Sequence, residues 1–214
     1  MPDQSTPRRA VTPAARTATD VDAEAMGAMF ARAFADDPVW VWMCKTRVAR
    51  FTRLAAPFFA TETRQYLPTD SAWTVPGADA GALWAPPGAW RTSLVDMARW
   101  APSALRLFGL HLPRSLSALA VVDKVHPREP HWYLALLGTD PDQQGTGLGS
   151  AVLRPVLERC DDDGLGAYLE SSKEANVSFY ERHGFEVTGR VEMGRDGSGP
   201  PMWTMWREPQ VPGH

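Results

Sequence analysis

A glycine-rich loop carries the clearest chemistry in this chain of 214 residues. The loop, Gln144–Gly149, follows an apolar and aromatic run at His131–Gly138 that predicts a buried strand, and a turn at Asp140–Asp142 separates the two. Apolar residues then recur at helical spacing, at Leu148, Val152, Leu153, Val156 and Leu157. A strand that passes through such a loop into a helix leaves the first N–H groups of the helix unpaired and directed at one point. The pattern therefore predicts an anion site, normally one for phosphate.

The loop by itself is compatible with more than one role. It lacks the Lys-Ser/Thr pair of a Walker A loop, and it lacks both the third glycine and the later acidic residue of a dinucleotide-binding fold. Gly147 and Gly149 have no Cβ, so a pyrophosphate could approach their backbone closely. A purely structural turn is the alternative, and the segments downstream bear on the choice.

Three elements are predicted after the helix that follows the loop. Ala167–Ser172 has the pattern of a strand, and Glu174–His183 that of a short helix. Gly184 fits the left-handed residue that commonly ends a helix, and Phe185–Met193 then predicts another strand.

The order of these motifs closely resembles the GNAT superfamily of acyl-CoA-dependent N-acetyltransferases. The motifs are the glycine-rich loop, Leu169-Glu170-Ser171-Ser172, and the segment Asn176–Phe185 with its Tyr180-x-x-x-Gly184-Phe185 signature. The resemblance covers Trp132 to about Trp206. It is strongest to the actinobacterial branch that contains puromycin N-acetyltransferase, through Ala33–Pro38 and Gly149–Val152 as well.

The resemblance implies a set of residues that hold acetyl-CoA. Leu137, Gly138 and Thr139 would contact the pantetheine arm through main-chain atoms, where the central strand separates from its neighbour. Gly138 suits a bulge or a close backbone approach. The family often has an asparagine where this chain has Lys173, so Asn176 either supplies a polar contact or none is made. The pyrophosphate would lie on the loop residues Gln144, Gly145, Thr146, Gly147, Leu148, Gly149 and Ser150.

The resemblance also implies the catalytic residues. Tyr180 matches the tyrosine that protonates the departing thiolate, and a phenol with a pKa near 10 can do so while neutral at pH 7. Glu170 is the candidate base, because a carboxylate in an apolar strand is costly without a purpose. A salt-bridged structural carboxylate, an ammonium anchor, or proton removal through water are its alternatives. Asp36 and Asp37 could attract an ammonium group or only complete a turn.

Composition limits the classes of function. The chain is 44% hydrophobic with a formal net charge of −3, which predicts one core and gives no electrostatic reason to expect nucleic acid or an anionic membrane. Its two cysteines have no metal-ligand or disulfide spacing, so we expect no metal and a cytoplasmic location. We expect neither a secretory signal nor a membrane-spanning run, and we expect a monomer or homodimer.

The remaining pattern predicts how the site is framed. We expect a disordered tail at 1–13, a catalytic domain at 14–208 and a second tail at 209–214. Within the domain we expect a helix that is capped at Thr19 or Asp20 and ends at Asp37–Pro38, and then a helix at about Cys44–Tyr66. A hairpin of Ser71–Val75 and Ala80–Ala85 should follow, and then a helical insertion at 92–125 near the acceptor. We also expect a kink at Pro155 and a last strand at Pro201–Arg207.

The prediction is an α/β protein, a single-domain GNAT-type fold with a mixed, twisted sheet of about six or seven strands flanked by helices. The predicted activity transfers an acetyl group from acetyl-CoA to a primary amine of a small molecule, such as an antibiotic or other xenobiotic, by direct attack in a ternary complex. Tryptophans concentrated before the loop suit a pocket for a flat or apolar amine. The alternatives are acetylation of protein lysines or N-termini, and a CoA-binding regulatory module without catalysis.

Overall fold

A computed structural model describes residues 13–91, 93–194 and 197–210. Most of the two predicted tails, at 1–12 and 211–214, lies outside the described residues. The sheet has seven strands: β1 Arg16–Thr17, β2 Ala72–Thr74, β3 Ala80–Ala85, β4 His131–Thr139, β5 Gly166–Ser171, β6 Glu186–Glu192 and β7 Pro201–Arg207. Their order is β1-β2-β3-β4-β5-β7-β6, and among the described strands only the β4–β5 pair is parallel. The predicted mixed sheet flanked by helices is confirmed.

Helices cover both faces of this sheet. They are α1 Ala23–Ala33, α2 Pro38–Cys44, α3 Val48–Tyr66, α4 Leu94–Phe108, α5 Leu112–Val125, α6 Leu148–Asp163 and α7 Val177–Glu181. Helices α1 to α5 share one core with Leu83 and Met193, whereas α6 packs on the other face against Trp84, Leu134 and Leu169. The five apolar positions predicted for α6 are all buried, because their spacing places them on one stripe.

A bulge and an early end to strand pairing open the middle of the sheet. Leu83 of β3 pairs with Leu136 of β4, but Trp84 pairs with Leu134, so Ala135 is an extra residue in β4. On the other side, the parallel pairing of β4 with β5 runs from His131 only to Leu134. Beyond that point β4 continues beside β3 alone, and its edge toward β5 is left without a ladder. The expected separation of the central strand is present.

Two facing glycines bring α1 down onto the opened strand. Gly81 and Gly138 are partners across β3 and β4. A Cβ on Gly138 would lie 2.8 Å from a ring carbon of Phe30, and one on Gly81 would lie 2.7 Å from the methyl carbon of Met26. Side chains at these positions would therefore push α1 away from the sheet. The expected bulge lies at Ala135 rather than Gly138, where the close approach is made by α1.

The helices before β4 differ in part from the sequence-based expectation. The segment Asp37–Pro38 does not lead into a loop but begins α2, and Lys45 adopts a left-handed conformation that separates α2 from α3. The 92–125 insertion is helical as expected, with Gly109 between its two helices. By length and composition alone, Val95–Val125 passes for a membrane span, contrary to expectation, but it is folded as two helices joined by the turn Gly109–His111.

A buried ion pair joins α6 to the last strand. The Arg207 guanidinium is 4% exposed and donates to both carboxylate oxygens of Asp161, at 2.7 and 2.8 Å. The Gln210 N–H also donates to Asp161, at 2.6 Å. The guanidinium holds the pKa of the Asp161 carboxyl below its ordinary value.

Removing one partner of this pair should destabilise the fold. Asp161→Asn leaves the Arg207 charge buried without its counter-charge, so we expect the free energy of unfolding in urea to fall by about 3 kcal/mol. Because the folded pKa of Asp161 is depressed, its contribution is present above about pH 4 and is lost as the pH falls through the folded pKa. Asp163→Asn is the matched control on the same helix, since Asp163 pairs with Arg159 at 3.8 Å and both side chains are exposed. Equal losses in the two variants would contradict this account.

Candidate active site

A cavity of about 400 Å³ lies where β4 and β5 separate. We call it the loop cavity, because most of its lining comes from the end of β4 and the glycine-rich loop. The sequence-predicted residues that line it are Leu137, Gly138, Thr139, Gln144, Gly145, Gly147, Leu148, Gly149, Ser150, Asn176 and Tyr180. Thr146 is the predicted loop residue that does not line it, and its hydroxyl instead donates to the Gln143 carbonyl at 2.6 Å. The structure therefore brings almost all of the predicted cofactor residues together.

The loop presents the start of α6 to this cavity. Gly145 and Gly147 have φ values of 76° and 89°, which residues with a side chain rarely adopt. Gly147 is the N-cap of the helix and makes no side-chain hydrogen bond there. The first helical hydrogen bond runs from the Ala151 N–H to the Gly147 carbonyl, at 3.1 Å. Helix geometry thus leaves the N–H groups of Leu148, Gly149 and Ser150 available to an anion.

Two positively charged side chains lie at the edge of the loop cavity. Lys173 lines it and pairs with Asp36 at 2.7 Å, so this lysine already has a carboxylate partner. Arg182 also lines it, and its Nη1 donates to the Ser178 carbonyl at 2.9 Å. Sequence reasoning missed Arg182, because an arginine in a short helix is usually an exposed surface residue.

A second cavity of about 180 Å³ adjoins the first, and we call it the apolar cavity. Trp40 and Met43 of α2 line one part of it, and Met193 and Met202 near the β6–β7 turn line another. The insertion contributes Ala118, Leu119 and Val122 from α5. Of the six tryptophans before β4, only Trp40 is in this lining, while Trp84 is fully buried in the core.

The two cavities meet at Tyr180 and Asp37, which line both. Tyr180 is 7% exposed, and its hydroxyl has no hydrogen-bond partner in the part of the chain that the structure describes. Burial, together with the nearby Asp37 carboxylate, raises the pKa of the Tyr180 phenol above its ordinary value. The phenol is therefore protonated throughout the neutral range and can donate a hydrogen at the junction.

Asp37 is held at this junction by three hydrogen bonds. Its Oδ1 accepts from the N–H groups of Val39 and Trp40, at 3.0 and 3.1 Å, so it caps α2. Its Oδ2 accepts from the hydroxyl of Ser172, which directly follows β5. Burial raises the pKa of Asp37 despite these donors. The signal in the sequence was an aspartate before a proline at a helix start, but the pattern could not show that the cap faces a cavity.

Glu170 lines the apolar cavity but not the loop cavity. Its side chain is 3% exposed, and its Oε1 lies 3.8 Å from Nδ1 of His126, which is fully buried. Neither atom has a hydrogen-bond partner among the described residues. His126 also stacks on Trp90 and lies 3.1 Å from His131, whose pKa burial lowers. The structure thus places the two candidate carboxylates differently, with Asp37 at the junction and Glu170 beside a buried histidine.

Residues 82–185 match the family model described as the acetyltransferase (GNAT) family. The chain is 29% identical over 211 residues to an uncharacterised N-acetyltransferase of Schizosaccharomyces pombe, covering 92% of this chain and 84% of that one. A structure described as histone acetyltransferase HPA2 and related acetyltransferase from Corynebacterium glutamicum matches with a TM-score of 0.69 and 25% identity, over 95% of this chain and all of that one. Arylalkylamine N-acetyltransferase 2 from Aedes aegypti shares the fold, with a TM-score of 0.59 and 13% identity over 92% and 98% of the two chains.

The family model, the relative and the first of these structures support a GNAT superfamily N-acetyltransferase. Enzymes of this family use acetyl-CoA, and this acetyltransferase has unpaired backbone donors where an anion would bind. Within 13–91, 93–194 and 197–210, no three His, Cys, Asp or Glu side chains are grouped so that they could hold a metal ion. Cys160 is buried, and burial raises the pKa of its thiol to about 12, so it is not a reactive nucleophile.

Gly149 offers a way to test the loop of this GNAT enzyme without disturbing its fold. A Cβ there would lie 3.4 Å from Thr139 Oγ1 and 3.5 Å from a ring carbon of Phe179, which are ordinary contacts. We expect Gly149→Val to weaken acetyl-CoA binding at least tenfold, about 1.4 kcal/mol, by calorimetry, because its side chain occupies the space above the helix start. Gly147 is a poorer site, since its φ of 89° would strain any side chain.

The matched control is Glu158→Ala, an exposed change on the same helix that lines neither cavity. Both variants should keep the free energy of unfolding within about 1 kcal/mol of the wild type. Unchanged affinity in a folded Gly149→Val variant would show that the loop does not hold the cofactor.

Proposed function

We propose that this enzyme transfers the acetyl group of acetyl-CoA to a primary amine of a small apolar molecule, by direct attack in a ternary complex. The observation that carries the proposal is the junction of two cavities at a buried tyrosine and a buried carboxylate. One cavity has backbone donors suited to phosphate, and the other is narrow and mostly apolar. A donor in the first and an acceptor in the second would meet beside Tyr180 and Asp37.

The loop cavity is the proposed seat of acetyl-CoA. The N–H groups at the start of α6 would bind its pyrophosphate, with Gln144 to Ser150 as the cradle. The edge of β4 that lacks a β5 partner would pair with the pantetheine arm through Leu137, Gly138 and Thr139. Asn176 lines both cavities and is the proposed polar contact near the reacting end.

Tyr180 is the proposed general acid. Amide formation expels a thiolate, and a neutral phenol at the junction can protonate that sulfur as the bond to the acetyl carbon breaks. The raised pKa of Tyr180 means that the phenol is neutral and carries its proton when the substrates bind.

The proton of the acceptor ammonium has two candidate acceptors in this structure. Asp37 reaches both cavities, and its raised pKa makes it a better base than an ordinary aspartate. Glu170, the base favoured from the sequence, lines only the apolar cavity and faces His126. We propose that Asp37 receives the ammonium proton and that Glu170 anchors or orients the acceptor.

The apolar lining supports an aryl or alkyl amine over a protein substrate. A cavity of about 180 Å³ with Trp40 and three methionines fits one small hydrophobic group, not an extended peptide. Its nitrogen would be directed toward Asp37. We include antibiotics and other xenobiotics among these amines because the sequence resembles the branch that contains puromycin N-acetyltransferase.

An assay of thiol release from acetyl-CoA tests the proposed function. The acceptors would be a set of arylalkylamines and alkylamines, aminonucleosides, aminoglycosides, polyamines and lysine-containing peptides. We expect the highest kcat/KM with amines that carry one aryl or alkyl group. Activity restricted to peptides would favour protein acetylation, and acetyl-CoA binding without turnover on any amine would favour a regulatory module.

Tyr180→Phe tests the acid. It keeps the ring and its packing against Phe179 and Phe185 and deletes the hydroxyl. We expect kcat to fall about 10²-fold to 10⁴-fold with little change in acetyl-CoA affinity. Nearly full kcat, with chemistry shown to be rate-limiting, would make Tyr180 a packing residue.

Asp37→Asn and Glu170→Gln separate the two carboxylates through the pH profile. If Asp37 is the base, its raised pKa means that activity falls as the pH drops through that value, because the carboxyl becomes protonated. We expect Asp37→Asn to lower kcat/KM at least about 10²-fold and to remove this acidic limb. Glu170→Gln should raise KM for the amine and keep the limb. If Glu170→Gln removes the acidic limb and Asp37→Asn keeps it, then Glu170 is the base.

A further inference from the structure

A histidine outside the cofactor contacts is hydrogen-bonded to the first turn of α6. Ser150 is the third residue of that helix and lines the loop cavity, whereas His183 follows α7 and does not line it. The Ser150 Oγ lies 3.0 Å from Nε2 of the His183 ring. This contact joins His183 to a side chain that lines the cavity.

The other ring nitrogen fixes how the hydrogens are arranged. Nδ1 of His183 lies 2.8 Å from the carbonyl oxygen of Phe179, which can only accept. Nδ1 must therefore carry a hydrogen, and in the neutral ring Nε2 is then a bare acceptor. The Ser150 hydroxyl consequently donates its hydrogen to His183, which turns that hydrogen away from any anion in the loop cavity.

Protonation of the ring reverses this hydrogen bond. The imidazolium has a hydrogen on both nitrogens, so Nε2 donates to Ser150 Oγ and the Ser150 hydroxyl hydrogen is released. That hydroxyl is then free to donate to a phosphate oxygen at the start of α6. The same protonation places a positive charge on His183, and the Ser150 side chain then lies between this charge and the anion.

We propose that His183 is a proton-linked positioning residue of the pyrophosphate site, so that acetyl-CoA binding takes up a proton on His183 and reorients Ser150. The inference rests on the proposed binding of acetyl-CoA in the loop cavity. Histidine is the side chain that ordinarily titrates between pH 5 and 8, so the linkage falls within the working range. Affinity for the cofactor would accordingly rise as the pH falls through this range.

The charged groups around His183 are compatible with this role. Arg182, its neighbour in the chain, lies with its guanidinium over the Phe179 ring, 5.9 Å from the centroid. Arg207 of β7 donates to the His183 carbonyl at 2.9 Å, but Asp161 of α6 already neutralises that cation. The Phe179 ring lies against the imidazole, with centroids 4.7 Å apart. An anion in the loop cavity would stabilise an imidazolium at His183, because the Ser150 side chain links the two.

Calorimetry with acetyl-CoA and no acceptor measures the linkage directly. Titrations at pH 6.5 in two buffers of different ionisation enthalpy give the number of protons taken up. We expect wild-type protein to take up about 0.3 to 0.5 proton more than His183→Leu. The ratio of wild-type to variant affinity should rise roughly fivefold to tenfold from pH 8 to pH 5.5. The cofactor phosphate also titrates, but its proton uptake is the same with both proteins and cancels in the difference between them.

Three further proteins complete the test. His111→Leu, a change at the turn between α4 and α5, should behave as the wild type. Ser150→Ala should lose most of the excess proton uptake although His183 remains. His183→Gln keeps hydrogen-bonding groups without a titrating ring, and it serves as the comparison if His183→Leu does not fold.

Each outcome has a distinct meaning. Equal proton uptake in the wild type and in a folded His183 variant would overturn this inference and leave the proposed function intact. Wild-type protein that does not bind acetyl-CoA at all would count against the proposed function itself.

Discussion

The structure depends on the point at which the backbone ladder between β4 and β5 stops, at Leu134 and Leu169. A buried strand edge without partners is costly, because each unpaired backbone group loses its hydrogen bonds to water. Here the free edge lines a cavity instead of lying in the core, so water or an extended ligand can satisfy it. The extra residue at Ala135 bends β4 away at the same level, which makes the separation a consequence of local geometry.

Helix α1 completes the candidate active site beside this opening. The glycine pair of β3 and β4 lets Phe30 pack directly on the backbone, and the chain after α1 then reaches the mouth of the opening. Asp37 arrives there already fixed as the cap of α2, with both oxygens hydrogen-bonded. Its position is thus set by packing and capping together, and no long flexible side chain has to be ordered when substrate binds.

The elements that could be predicted from the sequence are those that depend on patterns within a short segment. The strand His131–Gly138, the glycine loop and the stripe of α6 could be found because period and turn residues act within one element. The boundaries of α2 could not, since seven residues with a proline in the first turn give little periodicity and the break at Lys45 is a backbone conformation. The bulge at Ala135 depends on the register of another strand. The adjoining positions of Asp37 and Tyr180 depend on how α1 docks, which no local pattern contains.

Two contacts at the site join distant parts of the chain. The Ser172–Asp37 and Lys173–Asp36 contacts span 135 and 137 residues of sequence. Contacts of such separation carry a loop-closure entropy, which the packing of the intervening chain must offset. The candidate site therefore depends on the fold of the whole segment between these residues. A population of molecules in which α1 or the end of β5 has opened locally would retain most of its secondary structure and would have no active site.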